Sequence, residues 1–100
     1  MAKKVITDSS PLIGLALVDG LVWLPKLFGQ VFMPVSVQQE VLPGKEAPGE
    51  QAIAHAIAAG WITVWPYPIS EQLDIDLDAG ETDCINIGLD NPDEILLIMD

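Results

Sequence analysis

Carboxylates are the residues of this chain best suited to chemistry. Residues 74–84 read DIDLDAGETDC, placing Asp74, Asp76, Asp78, Glu81 and Asp83 just ahead of an apolar helical pattern. That density suits a calcium loop, the capping of a helix N-terminus, or help in holding a divalent cation for work on phosphates. The calcium loop fails on spacing. Asp74, Asp76 and Asp78 match its first three ligand positions, but Ala79 stands where the loop needs Gly and Ile85 where it needs Glu. Asp74 and Asp76 are then solvated loop acids. Asp78-x-x-Glu81 matches a cap with its partner in the first helical turn. Capping and cation binding are compatible, because a carboxylate at a helix N-terminus keeps lone pairs for a metal.

Three more acids stand at the ends of apolar runs. Asp8 follows Val5-Ile6-Thr7, Glu40 comes one helical turn after Val31-Phe32-Met33, and Asp100 follows Ile95–Met99. Each of these runs is β-branched or apolar and reads as a strand. Trp61–Trp65 reads as a further strand. Ser9 or Ser10 is the expected cap of an apolar, buried helix through Val18, with Pro11 in its first turn. Gly20 ends it, and Leu21, Leu24, Leu27 and Phe28 recur at helical spacing. Ser36-x-x-Gln39 reads as a capping box opening the helix that carries Glu40, and Pro43-Gly44 stops that helix. After the polar loop 44–50, Ala52, Ile53, Ala56 and Ile57 build another helix, which Gly60 ends. The last helix runs from Asp78 to about Leu89.

Strands alternating with helices predict an α/β fold with a mainly parallel sheet of about four strands. In such a sheet the strand C-termini share one edge, where ligands bind. Asp8, Glu40, Glu81, Asp83 and Asp100 are therefore expected to converge on that rim. Carboxylates gathered this way repel one another, so they take up protons, spread apart or bind a cation. The donors are all oxygens, which favours a hard ion, Mg²⁺ or Mn²⁺. Each acid also has a plainer role: Asp8 as a turn or cap, Glu40 as a solvated helix residue, Glu81 and Asp83 as partners of a helix N-terminus, and Asp100 as a chain end.

The composition narrows the setting. The chain has 100 residues, enough for one domain. Four Lys, no Arg and fifteen acids give a net charge of −11. The surface thus lacks a basic nucleic-acid footprint, and any work on RNA or DNA must rely on bound cations. The single Cys84 forms no internal disulfide, which fits a reducing cytoplasm. Asp8 and Pro11, then Asp19 and Gly20, interrupt the early apolar residues, so neither a signal peptide nor a membrane span is expected. His55 reads as an exposed helical residue, Cys84 as packing, and Trp23, Trp61 and Trp65 as core or interface. No glycine-rich nucleotide cradle occurs. A phosphoryl-acceptor enzyme of the haloacid-dehalogenase type needs D-x-D at the end of the first strand, and here the third position is Ser10.

The ordered segments VITDSSPLIGLALV (5–18), VFMPVSVQQEV (31–41), GWITV (60–64), LDAGETDCINIGL (77–89) and ILLIMD (95–100) resemble the PIN-domain superfamily, in particular its prokaryotic branch of virulence-associated protein C (VapC)-like toxins. The resemblance spans essentially the whole chain, residues 1–100. It implies a three-layer α/β/α fold and a Mg²⁺- or Mn²⁺-dependent endoribonuclease that leaves a 5′-phosphate and a 3′-hydroxyl. By this resemblance the first three catalytic acids correspond to Asp8, Glu40 and Asp83, with Glu81 a neighbouring acid. The fourth corresponds to Asp100 or to a residue immediately after it. Family members usually continue with another helix and an edge strand, so a C-terminally incomplete domain is expected. The resemblance also implies an RNA substrate, a small antitoxin covering the acidic pocket, and homodimerisation through helices. The rival expectation is a non-catalytic PIN remnant that acts as an interaction module.

Overall fold

The two inner strands lack the in-out alternation of a half-exposed sheet, and this decides the architecture. Strand β1 (Lys4–Thr7) buries Val5, Ile6 and Thr7 in succession, and β2 (Gln30–Met33) buries Val31, Phe32 and Met33. Successive strand residues point to opposite faces, so both faces of the sheet are covered. The computed structural model describes residues 4–70, 79–91 and 95–98. Asp74, Asp76, Asp78 and Asp100 lie outside the described residues.

The sheet has four strands in the order β3-β2-β1-β4, with β3 at Thr63–Val64 and β4 at Ile95–Ile98. Every pairing is parallel: Val5 faces Val31 and Leu96, Thr7 faces Ile98, and Met33 faces Val64. The α/β reading with a parallel sheet is met. Its third strand is shorter than the expected Trp61–Trp65, because Trp61 first completes the end of the preceding helix. The Trp65 N–H still donates to the Met33 carbonyl at 2.8 Å, continuing the edge by one bond.

Among the described residues, five helices connect the strands: α1 (Ser9–Leu17), α2 (Trp23–Leu27), α3 (Val35–Val41), α4 (Glu50–Ala58) and α5 (Ala79–Asp90). None of the described helices is long and apolar enough to cross a membrane. The core joins Val5, Ile6 and Met33 of the sheet to Leu12, Val37, Ile53, Cys84 and Ile87 of the helices. Phe32 and Trp65 close it edge to face at 5.2 Å.

Helix ends follow the expected chemistry at some places and depart from it at others. Gly60 ends α4 in the left-handed region (φ 82°), and Trp61 N–H reaches back to the Ala56 carbonyl at 2.9 Å. At the end of α1 the left-handed residue is Asp19 (φ 56°), one place before the expected Gly20. The Gly20 N–H then bonds the Leu15 carbonyl at 2.8 Å. Gly20 suits its place for a different reason: a Cβ there would press on the Leu15 and Trp23 side chains at 3.0–3.3 Å. Helix α1 is also less buried than its all-apolar sequence predicts. Leu12 and Ala16 face the core, whereas Leu17 and Val18 are 64% and 63% exposed.

The chain steps from β1 to β2 to β3 in one direction, then returns through α5 to place β4 on the far side of β1. The reversal sets a topological switch point between β1 and β4, and the crevice at their carboxyl ends is where open α/β sheets bind ligands. Asp8 leaves β1 at that edge.

Candidate functional site

Asp8 is the innermost acid of the described chain, only 3% exposed. It is also the N-cap of α1. Its extended backbone (φ −83°, ψ 177°) turns the chain from strand into helix, and its Oδ1 accepts from Ser9 N–H at 2.7 Å. Neither Ser9 nor Ser10 caps the helix: Ser9 is already its first residue, and Ser10 its second. The strand ends too early for the serines to serve, so the acid takes the position at which a side-chain oxygen meets free N–H groups. Those N–H groups supply partial positive charge to a carboxylate that is otherwise buried. Beside it, Thr7 Oγ1 donates to the Asp8 carbonyl at 3.1 Å.

Helix α5 brings the second acid. It packs on β1, β4 and α3. Buried Cys84 donates its thiol to the Thr7 carbonyl at 3.6 Å. Cys84 follows Asp83 and Thr7 precedes Asp8, so this one contact brings the two acid-bearing segments together across 77 positions of sequence. Asp83 is half-buried and its Oδ2 accepts from Ser36 Oγ at 2.6 Å. It stands in the second turn of α5, whereas Glu81, also half-buried, stands in the first.

Ser36 does not cap α3. The helix already begins at Val35, Pro34 occupies the cap position without a side-chain bond, and the hydroxyl is free to cross to α5. Glu40 lies one turn further along α3 than Ser36 and is exposed. The structure thus brings the segments of Asp8 and Asp83 together at the carboxyl edge, with Glu81 two residues before Asp83 on α5. Glu40 stands one turn away on α3. Among the described residues, no group of three or more His, Cys, Asp or Glu side chains is placed to hold one metal ion.

Lys4 opens β1 and Lys26 sits near the end of α2, just ahead of β2, so both lie at the amino edge of the sheet. Asp8 and Asp83, carboxylates on two segments joined at this edge, offer oxygen donors only, a set whose chemistry fits a hard dication. Asp8 and Asp83 are the residues that would hold it.

Sequence reasoning did not single out Ser36, Thr7 or Asn86 as parts of this region. Asn86 is buried to 1% one turn along α5 from Asp83. The one available signal was the spacing of Ser36 four residues before Glu40, which sets both on one side of a helix. His55 is exposed as expected and stacks edge to face on Trp61 at 5.4 Å. It lines a separate cleft of about 270 Å³ with Asp19, Leu21 and Trp61.

The geometry can be set against known proteins. A family model described as PIN domain matches residues 4–100. No curated protein and no solved structure matches the chain.

Proposed function

We propose, from the premise that the chain belongs to the PIN-domain family, that it is a Mg²⁺- or Mn²⁺-dependent endoribonuclease. The family supports a nuclease-type function, and its members are generally dependent on divalent metals. The observation that carries the reading in this chain is the pairing of Asp8, buried at the carboxyl end of β1, with the α5 segment of Asp83 through the Cys84–Thr7 contact.

In this reading Asp8 and Asp83 hold the cation. Glu40, Glu81 and Asp100 complete its surroundings directly or through water. When bound there, such a cation would supply an activated water and charge neutralisation at the phosphodiester. The chain's own residues do the positioning. The Ser9 N–H orients Asp8, and the Ser36 hydroxyl orients Asp83. With Lys4 and Lys26 at the amino edge of the sheet and a net charge of −11, attraction for the RNA backbone at the carboxyl edge falls to the cation. A VapC-like toxin role with a covering antitoxin belongs to the same reading. Self-association through the exposed Leu17, Val18, Trp23 and Leu27 is likewise part of it.

The test is cleavage of single-stranded RNA by the purified chain with Mg²⁺ or Mn²⁺ and with EDTA. The reading expects cation-dependent fragments bearing 5′-phosphates. Intact RNA at millimolar cation contradicts it. That outcome would favour a second reading, a non-catalytic interaction module, for which the absence of a three-acid group among the described residues speaks.

A further inference from the structure

The hydrogen bond between Ser36 and Asp83 joins two helices 47 residues apart in sequence, and it is short. Ser36 Oγ lies 2.6 Å from Asp83 Oδ2 and 3.5 Å from the Ala79 carbonyl. A hydroxyl has one proton to donate. The shorter distance is that of a charge-assisted O–H···O⁻ bond, so the proton goes to the carboxylate. Two features of α3 make this possible. Pro34 directly follows β2 and takes the cap position, which starts the helix one residue before Ser36. The hydroxyl is thereby released from the capping role its sequence pattern predicts. Packing of α3 on α5 then brings it to Asp83.

We propose that Ser36 is a positioning residue for the Asp83 carboxylate: its hydroxyl holds Oδ2 and sets the carboxylate plane, so that the remaining lone pairs are presented to a divalent cation. The inference rests on the metal-dependent reading above. A free aspartate must lose side-chain rotamer freedom each time it binds an ion, and a fixed one has already lost it. Partners of this kind around metal ligands typically change metal affinity by about ten- to a hundredfold.

A purely structural role, pinning α3 to α5, makes a different prediction. It lowers stability equally with and without metal. Positioning instead reduces the gain in stability that metal brings, because that gain follows the affinity. The experiment is a calorimetric titration of the full chain with Mn²⁺, alongside melting curves in EDTA and in millimolar Mn²⁺. The variants are Ser36→Val, which deletes the hydroxyl, Ser36→Thr, which keeps it at the same side-chain shape, and Ser36→Ala, whose strong helix propensity maintains α3.

The expected result is Mn²⁺ binding weakened about ten- to a hundredfold in S36V and S36A. S36T should stay within a few fold of the parent, and the Mn²⁺-induced rise in Tm should shrink only in the variants without a hydroxyl. Equal Mn²⁺ affinity in S36V, S36A and S36T overturns the positioning role while leaving the metal reading intact. Failure of the parent to bind Mn²⁺ at millimolar concentration overturns the metal reading itself, and the role of Ser36 with it.

Discussion

Cys84 Sγ lies 3.6 Å from the carbonyl oxygen of Thr7, and this contact locks the second turn of α5 onto the last residue of β1. Asp83 is next to one partner and Asp8 next to the other. The thiol is fully buried, so its packing and its weak hydrogen bond both act on the spacing between the acids. Replacing Cys84 by Ala leaves a small cavity and removes the thiol contact with the Thr7 carbonyl. It should lower unfolding stability by about 1–2 kcal/mol, read from urea denaturation.

Substitution separates the cap that Asp8 makes from its proposed metal role. Asn caps helices as well as Asp, and Ala does not. Asp8→Asn should therefore keep the stability of the parent while losing cation-dependent RNA cleavage. Asp8→Ala should lose cleavage and also about 1 kcal/mol of stability. Cleavage by the Asn variant at the parental rate would remove Asp8 from the site.

Asp19 ends α1 with positive φ and a negative charge beside a helix C-terminus, both of which are unfavourable. Asp19→Gly removes both. A gain of about 0.5–1 kcal/mol is expected, seen as a higher denaturation midpoint with an unchanged slope.

Two glycines should respond to Ala in opposite directions. Gly14 lies within α1 with open space around its missing Cβ, and Gly14→Ala should stabilise by about 0.5–1 kcal/mol. Gly49 caps α4 at φ 79°, and a Cβ there would meet Ala16 Cβ at 2.8 Å. Gly49→Ala should destabilise by more than about 1 kcal/mol, from backbone strain and from the clash.

The parts of this fold that local chemistry determines were legible in the sequence. Val5-Ile6-Thr7 and Val31-Phe32-Met33 became the inner strands because β-branched and aromatic residues suit a sheet buried on both faces. Gly60 became a left-handed helix end because only glycine is at ease there. The departures arose where two local solutions competed. Asp8 and Ser9 can each cap α1, and the end of β1 chose the acid. Ser36 fits a capping box, but Pro34 started the helix earlier and the serine found a partner on α5. A hydrogen bond spanning 47 residues leaves no trace in local spacing. At the site, the strand end of Asp8 was readable from pattern alone, whereas the contact that joins it to the Asp83 segment depends on how α5 packs.

The claim on which the account turns is that Asp8 and Asp83 share one hard dication at the carboxyl edge of the sheet. Crystals of the chain soaked in Mn²⁺ and measured at a wavelength that excites manganese test it directly. The account predicts an anomalous peak within about 2.0–2.3 Å of carboxylate oxygens from both residues. Anomalous density confined to other surface acids, or none at millimolar Mn²⁺, would contradict it.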